Sequence, residues 1–522
     1  MYLYFHSKHN HQDSIFYKTR FVRSGFFVFV FFSNIAKHLN NFHFEILNNF
    51  FCNIKTGRVW FVYFMGCFTF GFTITLEKLK LAVESMKINK IIKGLLGGLM
   101  ICLSGCSTGK IVQTNIGYGW NNNSVNTVKF RKNALTTHDQ YQFTAYYDEN
   151  SNLVLGKRKI NTSHWEIVKT PYKGNTKDAH NDISIVVDGE GYLHVSWDHH
   201  DTKLRYAKSK YPLSLEVGEE QPMTGMEEKK VTYPEFYNLP NGNLLFFYRS
   251  GASGRGNMVI NSYDLKTRKW TQLQQNLLNG EGQRSAYWQA CVDQQGVIHL
   301  SWVWRESWDV STNHDLCYAR SKDGGVTWEK STGEKYNLPI TASSSEYAWK
   351  IPQKSSLINQ TAMATDENGN PYIVTYWSEK GIPQYQIVYL DKGNWKKINT
   401  GFRKTSFYLG GGGTKQIPVS RPDIIVKNND DNPMLYVLFR DEERGNKISL
   451  AYNNLTSIEN WKVVDLTNTS VGQWEPNYDI SLWKKQHKLH VFLQNVTQID
   501  GEGLAKSAPT MISVLELNSL PK

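Results

Sequence analysis

A short unit of paired, alternating strands joined by an Asp-containing turn recurs along this chain, and a sheet that small cannot bury both its faces alone. In its clearest form Asp188-Gly189-Glu190-Gly191 precedes Tyr192-Leu193-His194-Val195-Ser196-Trp197 and then Leu204-Arg205-Tyr206-Ala207-Lys208-Ser209. It returns as Asp293-Gln294-Gln295-Gly296, Val297-Ile298-His299-Leu300-Ser301-Trp302 and Leu316-Cys317-Tyr318-Ala319-Arg320-Ser321. Related turns stand at Leu239-Pro240-Asn241-Gly242-Asn243, Asp366-Glu367-Asn368-Gly369-Asn370 and Asn429-Asp430-Asp431-Asn432-Pro433. Helical periodicity is almost absent after residue 126, so the fold class is all-β.

Units begin near His138, His180, Tyr233, Tyr287, Asn359, Arg421 and Glu475. Seven such units predict a seven-bladed β-propeller over 126–522, in which each sheet gains its missing apolar contact from its neighbours. Trp165, Trp270, Trp328, Trp395 and Trp461 recur near the outer strands, where a large ring fills the space between blades. Ser321-Lys322-Asp323-Gly324-Gly325-Val326-Thr327-Trp328 is similar to the Asp-box turn of sialidase-like propellers, a fold marker whose Asp caps the turn. The final strand, 510–517, is expected to close the ring against a strand at 125–130, which removes an open sheet edge.

From Met86 the chain reads as a signal peptide, 86–105, with Lys87, Lys90 and Lys93 before an apolar stretch from Gly94 to Leu103. It ends in Leu103-Ser104-Gly105-Cys106, which looks like a bacterial lipobox, so Cys106 is expected to carry the lipid and 106–125 to serve as a tether. This implies a bacterial envelope protein on the outer membrane, facing the periplasm or the surface; separately, a monomer is expected. A signal peptide belongs at a true start, which marks 1–85 as an upstream extension and Met86 as the initiator.

Net charge is +12, but 12 Lys/Arg and 4 Asp/Glu lie in 1–105, leaving 47 basic and 43 acidic residues from Cys106 onward. That field is weak, and no basic run interleaved with aromatics accompanies it, which excludes a nucleic-acid partner. Of the six cysteines only Cys106, Cys291 and Cys317 survive export, too few for a disulfide framework. Cys291, His299, His314 and Cys317 share one unit and have the ligand types of a structural zinc site; calcium is left open. His194 and His299 occupy one repeat position, which also assigns them to structure. No cofactor is expected for the chemistry.

The innermost strands of a propeller start at one funnel-shaped face, so the starts of the seven units converge there. Asp178-Ala179-His180-Asn181, Trp197-Asp198-His199-His200, Thr232-Tyr233-Pro234 and Phe247-Tyr248-Arg249-Ser250 resemble the site segments of the propeller-type ulvan lyases, in matching order over roughly residues 126–520. The resemblance implies β-elimination on ulvan, a sulfated rhamnose-uronate polymer, with His180, Tyr233, Arg249 and His200 as catalytic residues; the adjacent His199 leaves the last position open. Asn181, His199, Tyr287, Trp288 and Arg421 are the expected substrate-binding residues, with Tyr287 and Trp288 as a stacking platform.

The chemistry agrees with these roles. An Arg beside a uronate carboxylate offsets the charge that opposes loss of the C5 proton. A neutral imidazole accepts that proton and a phenol protonates the departing C4 oxygen, which makes His180 the base and Tyr233 the acid. If the C5 hydrogen lies on the other face, Tyr233 serves as both. Two other functions fit the fold: a sialidase-like hydrolase, with Tyr233 and Glu235 as nucleophile and partner and Arg249 and Arg421 on the carboxylate, and a non-catalytic sugar-binding propeller. Three clustered arginines, which the hydrolase needs, are not evident in the sequence.

Overall fold

A computed structural model describes residues 111–521, apart from 429–431 and 456–458, together with the backbone of an antiparallel hairpin in which Arg58–Met65 pairs with Phe68–Thr75. The hairpin forms a unit separate from the propeller. The expected signal peptide at 86–105 and the expected lipidation site Cys106 lie outside the described residues, as does the remainder of 1–85.

Seven antiparallel sheets follow one another along the chain. Their innermost strands are Leu135–His138, Ile183–Val187, Val231–Asn238, Ser285–Val292, Ala362–Thr365 and Asp423–Lys427, with Tyr478 bridged to Val491 in the seventh. The expected all-β, seven-bladed propeller is thus the fold. Among the described residues one short α-helix, Ile480–Gln486, interrupts it.

Each hairpin turn has a reason in its sequence. Asp188 Oδ1 accepts from the backbone N–H of Glu190 and Tyr192, while Oδ2 meets His194 Nε2 at 3.1 Å, and His194 Nδ1 meets the Tyr206 hydroxyl at 2.7 Å. One repeat later Asp293 caps Gln295 and Val297, His299 Nε2 lies 3.2 Å from its Oδ2, and Tyr318 closes the chain of bonds at 2.7 Å. These histidines are fully satisfied pieces of the blade. In the Asp-box, Asp323 accepts from Ser321 Oγ and Thr327, and the Trp328 indole is buried with its N–H on Gly325 O at 3.0 Å.

The indoles fill the seams between blades. Trp328 packs with residues of both its own sheet and the preceding one, such as Trp302 and Phe247. Trp270 donates to Tyr206 Oη at 3.1 Å, and Trp395 packs edge-on against Tyr318 at 4.9 Å.

The ring closes differently from the sequence expectation. Thr510–Leu517 pairs with Ile111–Gly119, so this part of the expected 106–125 tether is a blade strand and the propeller begins at residue 111. Residues 125–130, expected to be a strand, form a buried loop across the hub. Arg131 there donates to the carbonyls of Asn126, Ala145 and Ile183. Lys129 Nζ meets Asp423 at 2.5 Å, and Lys129 N donates to Glu475 at 2.8 Å. The apolar residues Val125, Val128 and Phe130 are buried there against several blades, and a short apolar-rich segment does not by itself distinguish a hub loop from a paired strand.

The zinc expectation is not met. Cys291 stands opposite His299 in the ladder, but Cys317 stands opposite Trp302, three positions along, so strand alternation puts it on the other face of the sheet. His314 is held by Glu306 at 2.8 Å and Asp315 at 3.1 Å. Four ligands from these residues cannot meet at one point.

Trp328→Ala should cost about 3–5 kcal/mol by urea or guanidinium unfolding, because it opens a ring-sized cavity in a seam with no exposed face. A loss under about 1 kcal/mol would show that the indole does not hold the seam.

Candidate active site

The site is built from the ends of strands at one mouth of the channel. Asp178-Ala179-His180-Asn181 is a turn before the second blade, in which Asp178 Oδ1 accepts from the His180 backbone N–H at 2.8 Å and lies 2.9 Å from His180 Nδ1. Its other oxygen meets His200 Nδ1 at 2.5 Å. One carboxylate therefore orients two imidazoles, whose rings stack at 4.1 Å. Phe130 from the hub loop covers the other face of His180 at 5.0 Å, nearly parallel. Glu502, carried in from the last blade, stands 3.2 Å from the same Nδ1. Nε2 of His180 makes no hydrogen bond among the described residues and is the nitrogen left for a ligand.

Burial works against a charged His180, but the bonds to Asp178 and Glu502 outweigh it and push its pKa up to about 9. Burial also works to raise Asp178, yet His180 and His200 hold it well below the usual carboxylate range.

Tyr233 reaches the same space through a bulge. Thr232 pairs with Arg249 and Glu235 with Phe247, so one extra residue is inserted on the inner strand. Tyr233 sits there at φ 60°, a left-handed conformation that a bulky residue before proline adopts only under constraint, at about 1–3 kcal/mol. The bulge aims its ring at the site, 6.0 Å from His180 and 5.4 Å from Phe130. Its hydroxyl makes no hydrogen bond among the described residues. Burial, together with Tyr287, raises its pKa, and Arg249, Arg305 and Arg421 offset only part of that.

Arg249 lies over the Tyr233 ring at 5.0 Å. It donates to Gly251 O at 3.0 Å and Thr232 Oγ1 at 3.3 Å, and forms no ion pair among the described residues. A buried cation with only neutral partners is an anion site in waiting.

The remaining expected residues divide. His199 is fully buried, accepts from the Arg205 backbone N–H at 2.8 Å, and is pushed down to about 3 by burial and then Arg205. It is structural, and His200 is the histidine at the site. Trp288 is buried in the core with its N–H on Glu235 at 3.2 Å, so it offers no platform. Tyr287 does reach the site: its hydroxyl meets Ser253 Oγ at 2.8 Å and its ring packs edge-on to Tyr233. Burial works to raise its pKa, but Arg305 and Arg249 win and lower it. Asn181 donates to Asn175 O at 2.9 Å, leaving its buried Oδ1 unpartnered. Arg421 is neutralised by Glu475 at 2.9 Å and lies over Phe130, so it supports the site rather than offering a free charge.

Three guanidinium groups do gather around Tyr233, which the sequence alone did not reveal. The hydrolase arrangement still fails, because Glu235 is turned into the core toward Tyr237 and Trp288. Sequence reasoning also missed Asp178, Glu502 and Arg305. Asp178 lies inside a segment already singled out, and Arg305 ends its strand as Arg249 does; Glu502 sits in a long loop with no pattern to flag it.

Asp178, His180 and His200 are a group of side chains able to hold a metal among the described residues, though their facing atoms are already hydrogen-bonded to one another. A separate cavity of about 530 Å3 lies at the far end of the channel, lined by the turns at Asp188 and Asp293 and by His138. His138 thus ends its strand there, away from the funnel where the unit starts were expected to converge.

Fold and site together define a seven-bladed β-propeller with a histidine pair, a free tyrosine and an unpaired arginine at its funnel. A model of the BNR repeat-containing family matches residues 141–403, and the chain belongs to that family. It is similar to the long-isoform ulvan lyase of Glaciecola sp. (strain KUL10), at 24% identity over 27% of this chain and 19% of that protein. It is also similar to the short-isoform ulvan lyase of Alteromonas sp. (strain LOR), at 40% identity over 10% of each. The matched part spans at most about a fifth of these relatives' length. Two solved structures share the fold. One is polysaccharide lyase Uly1, at 16% identity over 74% of this chain and 90% of that one, with a TM-score of 0.53. The other is a PL25 ulvan lyase, at 16% identity over 78% and 93%, with a TM-score of 0.54.

A histidine NMR titration should give His180 a pKa near 9, and Glu502→Gln should lower it by removing one of the two carboxylates. Because the folded value is raised, the charged ring stabilises the fold fully below about pH 6.5 and loses that effect as pH rises through about 9. A titration at or below about 6.5 would contradict the network.

Proposed function

We propose that this protein is a polysaccharide lyase that cleaves ulvan by β-elimination beside a uronate. The observation that carries the reading is Arg249, a buried cation with no carboxylate partner, beside a histidine with a free Nε2 and a tyrosine with a free hydroxyl. The relatives named ulvan lyase supply the substrate class.

In this reading Arg249 takes the uronate carboxylate and stabilises the charge that develops as C5 loses its proton. His180 Nε2 accepts that proton, C4=C5 forms as the C4–O bond breaks, and the Tyr233 hydroxyl protonates the leaving oxygen. His180 then returns its proton and Tyr233 regains one, restoring the site. The raised pKa of Tyr233 suits an acid, since burial keeps the phenol protonated. It opposes the alternative in which a phenolate serves as base.

His180 must be neutral to act, so kcat/KM should rise with pH to a midpoint near 9, and Glu502→Gln should move that rise to lower pH. A rate that falls over this range would reverse the roles of His180 and Tyr233. The direct test is ultraviolet absorbance of an unsaturated uronate released from ulvan. Tyr233→Phe should lower the rate about 100-fold or more while leaving the fold intact. New reducing ends without absorbance would mean hydrolysis instead.

The reading extends to a lipid anchor on Cys106 that holds the enzyme, as a monomer, at the bacterial outer membrane, supported by the sequence of 86–106. Cys106→Ala should release the protein from the membrane fraction of expressing cells; continued retention would remove the anchor.

A further inference from the structure

Trp308 is 70% exposed, an unusual position for the largest apolar side chain in a molecule whose other indoles mostly fill seams. Its place is built rather than incidental. Asp309, the next residue, caps a short 3-10 turn through Ser311 N at 2.8 Å and accepts from Gly411 N at 2.8 Å, while Val310 N donates to Gly411 O at 2.9 Å. These bonds fasten the Trp308 loop to the glycine-rich segment 410–413. The indole lies against Gly412, where a Cβ would stand 2.9 Å from its Cε3, so only glycine leaves room for the ring in this pose.

The same segment leads directly to the reacting groups. Thr414, two residues beyond Gly412, lies 3.5 Å from His180 Nδ1 and donates its backbone N–H to Glu502 at 2.8 Å. Two residues span about 7 Å at most, so the indole lies within reach of a polymer seated at the histidine pair.

A second observation points to a ligand at this place. Arg305 is 9% exposed, donates Nη2 to the Trp308 carbonyl at 2.7 Å, and lies over the Tyr287 ring at 5.1 Å. Its Nε is buried with no hydrogen-bond partner, and the side chain forms no ion pair among the described residues. An orphaned N–H on a buried cation is costly unless an anion completes it.

We propose that Trp308 and Arg305 form a subsite for a sugar flanking the one undergoing elimination. The indole stacks beneath the C–H face of that pyranose, and the Arg305 guanidinium pairs with its anionic substituent, a sulfate ester or a carboxylate. A flat ring with one charged partner sets both the tilt and the register of the polymer, and so which glycosidic oxygen is delivered to Tyr233. The inference rests on the lyase reading and adds the direction in which the chain leaves the reacting centre, from Tyr233 past Tyr287 toward the 401–416 loop.

The test compares wild type, Trp308→Ala and Trp308→Phe on an ulvan tetrasaccharide, reading kcat and KM by absorbance and affinity by calorimetry in a Tyr233→Phe background. Trp308→Ala should raise KM and weaken affinity about tenfold or more with kcat changed less than about threefold, and Trp308→Phe should recover most of the loss. Because the indole is exposed, the alanine variant keeps its packing. Cleavage with KM and affinity unchanged in Trp308→Ala would overturn the subsite and leave the lyase reading standing. Binding without cleavage, weakened in Trp308→Ala, would remove the lyase reading and keep the subsite. A tetrasaccharide neither bound nor cleaved by wild type would overturn both.

Discussion

The pairing of Ile111–Gly119 with Thr510–Leu517 is the constraint on which the rest of the molecule hangs. It joins segments from opposite ends of the propeller, and the last sheet would otherwise be two strands with an open edge. Holding the N-terminal segment there delivers the next residues into the hub. There Lys129 and Arg421 both bond Glu475, and Phe130 becomes the surface under His180 and Arg421. Closure and site are therefore parts of one arrangement. A chain that failed to close would lose the floor of the site along with the edge strand.

Within that frame, function depends on which charges are cancelled and which are left. Arg421 and Lys129 are buried beside carboxylates and act as braces. Arg249 and Arg305 are buried with only neutral partners, so an arriving anion would offset the part of their desolvation cost that these partners leave. The histidines show the same division. His199 is held neutral by burial, whereas His180, just as enclosed, is charged because two carboxylates outweigh the loss of water. Tyr233 and Tyr287 also part ways, the first raised mainly by burial and the second lowered by the guanidinium groups over it. In the proposed reaction, such separations let one funnel hold a base, an acid and an anion clamp without mutual cancellation.

Much of this was legible in the sequence because it repeats. The Asp188 and Asp293 turns, with His194 and His299 behind them, announce the blade directly, and the Asp-box at Asp323 fixes its kind. His180, Tyr233 and Arg249 were visible as strand ends and prove to be neighbours. What stayed hidden depends on three-dimensional course rather than pattern. Residues 125–130 read as a strand but cross the hub, and 111–119 read as a tether but form a blade strand. Cys317 shares a unit with Cys291 but faces the opposite side of the sheet. Trp288 reads as a platform beside Tyr287, yet strand alternation sends it into the core. Glu502 and Trp308 come from loops without periodicity, where only the fold reveals what they approach.

The most direct test of the account is a structure of the Tyr233→Phe variant with an ulvan oligosaccharide. The account predicts the uronate carboxylate on Arg249, C5 facing His180 Nε2, and the C4 oxygen facing residue 233. A carboxylate seated elsewhere, with C5 out of reach of His180, would contradict it.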